Sequence, residues 1–206
     1  AENVAPQVVK NGDITTTTST ASVPITVIEE HSGWKTTTCQ YKLTTASTWL
    51  TNNTTGTATK CDFSQLQAGK EYDYKITVKD KVNILSTSAT TNKTVTGTFT
   101  PLAMCTPTIT IANETSWKPS KVVTFTGSAN GAHIEYKVVN NGTTKVDWTE
   151  IANNGTYTID YTSTSAKPTE IYARCTDGIT TKDATTKTQT MVDVTAPTSV
   201  AYVAKY

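Results

Sequence analysis

The sequence has little of what most enzymes and nucleic-acid readers use. Its 206 residues hold two His, four Cys and one Arg, Arg174, among 18 basic side chains. Proteins that read bases and phosphates lean on the forked guanidinium, and no Lys cluster compensates here, so the composition argues against a nucleic-acid partner. No C-x-x-C pair occurs, which removes the usual zinc and thioredoxin-like patterns. No G-x-S-x-G, H-E-x-x-H or reactive-Cys signature supports hydrolysis, and the 17 acids are scattered rather than paired for glycosidic work. The expectation is a non-enzyme with no catalytic residue, cofactor or metal. No apolar run approaches the roughly 18 residues of a membrane span. The opening "AENVAP" has neither the basic start nor the apolar stretch of a signal peptide. Leu is scarce, and no window keeps a 3.6-residue apolar period over three turns, so helices are not expected.

What is present is Thr, roughly a quarter of all residues. Thr is β-branched and suits the solvent face of a strand. A chain with 36% hydrophobic and 17% charged residues could be disordered, but four Trp, nine Tyr and many alternating Val/Ile runs oppose that. The runs are short and spaced by Gly, Asn, Ser and Thr. In the first half they are "SVPITVIEE" (22–30), "TCQYKLT" (38–44), "KCDFSQL" (60–66), "YDYKITVKD" (72–80) and "KTVTGTFTP" (93–101). The second half gives "TPTITIAN" (106–113), "KVVTFTGS" (121–128), "HIEYKVV" (133–139), "WTEI" (148–151), "TYTIDYT" (156–162), "EIYARCTD" (170–177) and "KTQTMVDV" (187–194). Strands with one buried face, in this number and spacing, predict an all-β chain of two tandem antiparallel β-sandwiches. Aligned by pattern, "IEYKV" (134–138) falls on "CQYKL" (39–43), and "IYARCTD" (171–177) on "YKITVKD" (74–80). The expected domains are 1–101 and 102–197, with 198–206 either opening a further module or closing the second. "ENVAP" (2–6) and "DVTAP" (193–197) then mark module junctions where Pro interrupts pairing, and the chain reads as an excerpt from a longer row.

"LQAGKEYDYKITVKD" (66–80) resembles the fibronectin type III signature, with Leu66, Gly69 and Tyr72 at the family's Leu, Gly and Tyr. The resemblance implies a structural corner in which the Tyr hydroxyl ties back to the backbone. Ala68 stands where the family usually has Pro. The second half lacks that Tyr. Its "AKPTEIYARCTDG" (166–178) is similar to the F strand of bacterial Ig-like repeats, and "D-x-T-A-P" junctions resemble those of large bacterial surface proteins and some phage tail proteins.

Cysteines fall two per module. Cys39 and Cys61 lie in phase with the inward residues of strands expected in opposing sheets, so a cross-sheet disulfide is one reading. Cys105 with Cys175 is its counterpart, joining the first strand of the second module to its F-like strand. The alternative is four buried thiols acting as small hydrophobes. His31, in "EEHSGW" with Glu29 and Glu30, reads as a solvated loop rather than a metal ligand. His133 opens a strand with Glu135 as its one useful acidic neighbour. Asp80, Asp177 and Asp193 stand singly near strand ends or junctions, where a calcium linker would need several carboxylates together. Trp49, Trp117 and Trp148 are expected in the core, whereas Trp34, in a Gly-containing loop beside His31, is the candidate for an exposed ligand platform. An isopeptide staple of the usual kind would need Lys and Asn on adjacent strands with a buried acid between, for which Lys10 and Asn92 can be drawn. Six N-x-T sequons, at Asn52, Asn53, Asn92, Asn113, Asn141 and Asn154, arise readily in so Thr-rich a chain.

These observations favour a stalk, spacer or adhesive segment of an extracellular bacterial cell-surface protein. Its partners would be neighbouring Ig-like modules and a surface glycan or protein receptor. A phage tail or capsid module in a virion, and a carbohydrate-binding accessory module of a secreted glycoside hydrolase, are the alternatives.

Overall fold

The computed structural model describes residues 5–30, 32–55, 58–82 and 94–196, and of 53–55 the backbone alone. Sixteen strands and no helix occur among the described residues, so none has a helix long and apolar enough to cross a membrane. The chain divides into two compact units, with Cys105 opening the second.

The first unit runs through β1 (Gln7–Lys10), β2 (Thr15–Thr16), β3 (Ala21–Ile28), β4 (Trp34–Leu43), β5 (Leu50–Thr55), β6 (Lys60–Phe63), β7 (Tyr72–Asp80) and β8 (Thr94–Phe99). One sheet is built on β3, which pairs β1 and β2 along one edge and β6 along the other; the second has the order β5-β4-β7-β8. All pairs are antiparallel, and alternation along the strands fixes which face closes on the core. In β7, Tyr72, Tyr74, Ile76 and Val78 point inward and Asp73, Lys75 and Thr77 outward. Val23 and Ile25 from β3, Cys61 and Phe63 from β6, and Cys39 from β4 meet them in a single core cluster. Each fully buried Phe or Ile contributes about 2–3 kcal/mol of transfer free energy. Aromatic rings fill one end, Phe99 lying 5.5 Å from Phe63 and 5.6 Å from Tyr72, centroid to centroid.

The second unit repeats the plan with β9 (Thr108–Ile111), β10 (Lys121–Thr126), β11 (His133–Asn140), β12 (Thr143–Ile151), β13 (Gly155–Ile159), β14 (Thr169–Thr176), β15 (Thr181–Asp183) and β16 (Lys187–Gln189). One sheet has the order β13-β10-β9; the other runs β12-β11-β14, with β15 and β16 both pairing β14. Ile109, Ile111, Val123, Phe125, Ile134, Val138, Ile159, Ile171 and Cys175 are among its buried residues. In both units the strand after the central one pairs within the larger sheet, β5 on β4 and β12 on β11. That gives three strand lines against four, with the fourth strand placed differently from the ABED/CFG division of constant-type immunoglobulin domains.

Several details depart from the sequence expectations. β12 starts at Thr143, five residues before "WTEI", because Asn141 (φ 53°) and Gly142 (φ 71°) form a tight turn between β11 and β12. Two successive left-handed residues match the right-handed twist of a hairpin, which is why Asn-Gly serves there. β5 and β15 were not expected. β16 ends at Gln189, and Val192 beyond it makes an isolated parallel bridge with Lys118. The alignment of the two halves is two residues out on one strand. Cys39 pairs with Ile76, but Ile134 pairs with Cys175 where the pattern match would set Ala173. A two-residue shift keeps every side chain on its face, so the pattern cannot register it. Residues 198–206, His31 and Asn92 lie outside the described residues.

Candidate functional site

Cys39 on β4 and Cys61 on β6 form a disulfide with Cα atoms 5.9 Å apart, and Cys105 and Cys175 form another at 5.8 Å. The first joins the two sheets of its unit; the second ties the segment just before β9 to β14. At the corner before β7, Tyr72 is buried and its hydroxyl accepts the Gln67 N–H at 2.9 Å. Leu66 is buried, its N–H donating to the Ser19 carbonyl, and Gly69 turns the chain at φ +67°.

Trp34 does not stand in a loop. It is the first residue of β4, paired with Asp80, and its half-buried indole packs against the core. The other three Trp also differ from expectation. Trp117 is 60% exposed rather than in the core. Trp49 and Trp148 lie half-buried over the outer face of their larger sheets, because the cations that cover them come from outward positions. Lys42 and Lys75 place their ammonium groups 5.4 and 5.9 Å from the Trp49 ring, and the Arg174 guanidinium sits 4.1 Å from that of Trp148. Each contact is a cation–π pair that covers an aromatic lying on an outer sheet face.

Around Trp148 the outer face of the second unit carries its densest chemistry. Register brings Glu135 of β11 opposite Arg174 of β14, and Arg174 opposite Asp183 of β15. Arg174 Nε donates to Glu135 Oε2 at 2.6 Å, while His133 Nε2 lies 3.4 Å from Glu135 Oε1. Burial alone would raise the Glu135 carboxyl, but hydrogen bonds from Arg174 and His133 outweigh it and hold it below the usual carboxylate range. The Tyr172 hydroxyl donates to Glu170 at 3.2 Å, and burial with that nearby carboxylate pushes the phenol up. Next to this ladder lies a cavity of about 360 Å³ lined by Trp148, Tyr172, Ala173, Asp183, Ala184 and Thr186. Two aromatic rings, one carboxylate and the hydroxyls of Tyr172 and Thr186 around a small-residue floor offer a stacking surface with polar contacts at its edge. The arrangement can bind; no nucleophile with an adjacent base lies within it.

Two of the three carboxylates weighed against a calcium linker, Asp177 and Asp193, are used locally. Asp177 Oδ1 accepts the N–H groups of Ile179 and Thr180 at 2.9 and 2.7 Å, and Asp193 Oδ1 accepts that of Thr195 at 2.9 Å. The Glu135–Arg174–Trp148 group was missed in the sequence, although the outward positions of "HIEYKVV" and "IYARCTD" carry it. Its one strong signal was Arg174, the solitary Arg of the chain.

No family model matches the sequence, and no curated protein matches it either. Among solved structures, the chain is similar to the FN1–FN3 domains of chicken CNTN1, with a TM-score of 0.37 and 10% identity over 89% of this chain. It spans 65% of that protein segment's length. A two-domain fibronectin type III segment of chicken tenascin gives a TM-score of 0.37 and 11% identity, covering 90% of this chain and 97% of the other.

Proposed function

We propose that this chain is a non-enzymatic segment of a long extracellular bacterial surface protein, a stalk or spacer whose modules also serve adhesion. The observation that carries the reading is the pair of tandem sandwiches, each locked by its own disulfide. Disulfides persist in oxidising compartments, and a small module whose core is thin gains most from one. Pro-bearing stretches at "ENVAP" (2–6), "TPLAMCTP" (100–107) and "DVTAP" (193–197) set off modules 1–101 and 102–197, with 198–206 either opening a further module or closing the second. The Leu66, Gly69 and Tyr72 corner holds the first module's shape. Its partners are the neighbouring modules of the same chain and a surface glycan or protein receptor.

The test is the intact mass of protein from its native source, alkylated without reductant. Two disulfides and no blocked thiol support an extracellular stalk. Four alkylated thiols after unfolding would overturn it and favour a virion module assembled in a reducing cytosol. A carbohydrate-binding role is the second reading, favoured by the aromatic cavity at Trp148 and Tyr172. Quenching of Trp fluorescence by a member of a broad glycan panel, lost in Trp148→Ala, supports that role; silence across the panel removes it. Trp34, packed on the core side, contributes to that reading only if Trp34→Ala loses the same response.

A further inference from the structure

The second unit buries one cation without a carboxylate to hold it. Lys121 opens β10 at 2% exposure, and its Nζ donates to Gln189 Oε1 at 2.8 Å and to the Glu114 carbonyl oxygen at 2.8 Å. Gln189 closes β16 at 1% exposure. The same Oε1 also accepts the Met191 N–H at 3.1 Å. Two donors converging on one atom settle which way the amide points, since the flipped amide would turn its own NH₂ toward both. The other end of that amide is Nε2, which is buried and has no hydrogen-bond partner among the described residues. Burial pulls the Lys121 ammonium below the ordinary Lys range, opposed in part by the charge of Glu114. As a plain hydrogen-bonded pair, these side chains leave a desolvated charge and an orphaned NH₂ inside the sandwich.

We propose that Lys121 and Gln189 are the two halves of an intramolecular isopeptide cross-link that the folded unit forms unaided. Neutral Nζ attacks the Gln189 side-chain carbonyl carbon, and the carbonyl electrons move onto Oε1. The Met191 N–H already points at that oxygen and holds the developing negative charge. A desolvated Lys amine is the usual form of a Lys nucleophile in proteins. Within the tetrahedral adduct one proton passes from the former Nζ to Nε2, the carbonyl re-forms, and the bond from carbon to Nε2 breaks. Ammonia leaves; nothing is oxidised or reduced. The product keeps one N–H on the former Nζ, available to the Glu114 carbonyl, and removes both the buried charge and the orphaned NH₂. The bond runs from β10 in the smaller sheet to β16 on the larger one, a second covalent tie besides Cys105–Cys175.

The experiment is the mass of the purified chain, incubated folded at neutral pH, then reduced and denatured. We expect it to be lighter than its sequence by one ammonia, with a tryptic digest yielding a branched peptide that joins the Lys121 and Gln189 segments. Lys121→Met, checked for folding by its intact Cys105–Cys175 disulfide, should carry the full sequence mass. A wild-type chain at full sequence mass overturns the proposal. So does a missing ammonia that maps to the Asn141-Gly142 peptide, where succinimide formation gives the same loss, or an ammonia lost equally from Lys121→Met.

Discussion

At the scale of single residues, the solvent face of the second unit is governed by Glu135. Its depressed carboxyl contributes stability that is complete above the unfolded Glu value of about 4.3 and is lost as pH falls through the lower folded value. Glu135→Gln should therefore lower stability at neutral pH by about 1 kcal/mol, as the pair is part-exposed, and the gap from the parent should close in acid. Urea denaturation at neutral pH and again below the folded value checks this; a gap that persists in acid contradicts it. Arg174→Lys keeps the charge but loses the planar group that lies over Trp148 and the directed Nε bond to Glu135. It should cost about 1 kcal/mol and change the Trp148 emission. In the first unit, Tyr72→Phe leaves the Gln67 N–H without its acceptor and should cost about 1–3 kcal/mol in the same assay.

At the scale of elements, strand pairing makes demands that side-chain pattern hides. Gly97 of β8 lies directly opposite Tyr74 of β7, and a Cβ added there would meet the Tyr74 hydroxyl oxygen at 2.8 Å and its ring at 2.9 Å. The ring fills the space over the glycine, so Gly97→Ala should destabilise the unit by about 1–3 kcal/mol, read as a lower denaturation midpoint. Alternation was the legible part of the fold. Tyr72 to Val78, Cys39 and Cys61, and Val23 with Ile25 announce their inward faces by period two, and the all-β sandwich follows. Thr hid the rest. β5 and β15 are short, outlying strands made largely of Thr, Asn and Lys, in which both faces look alike and no period stands out. The Asn141-Gly142 turn was readable as a hairpin signal, and with it β12 would have begun in the right place. Trp misled for a different reason. Hydrophobicity predicts burial, but Trp49 and Trp148 are covered by Lys and Arg side chains on an outer sheet face, a relation set by register and invisible to composition.

At the scale of the whole molecule, two disulfides of unequal span divide the stability. Cys39–Cys61 closes 22 residues and Cys105–Cys175 closes 70. Loop-closure entropy assigns them roughly 3 and 4 kcal/mol respectively. Reductant should then lower both thermal transitions, and in Lys121→Met, which lacks the proposed second tie, the second unit's by the larger free energy; calorimetry of the oxidised and reduced Lys121→Met chain, with Cys105→Ala/Cys175→Ala to assign the transitions, measures it. The two-per-module spacing made these bonds readable in advance, whereas the register that sets Cys175 opposite Ile134 was not. Because Cys105 stands ahead of β9, a pull applied along the chain passes through sulfur into β14 and skips everything threaded between. In a single-molecule extension trace of Lys121→Met, which lacks the proposed second tie, the second unit would lengthen only by the residues outside that loop, and the same molecule under reductant would release the hidden 70 as an extra, later step.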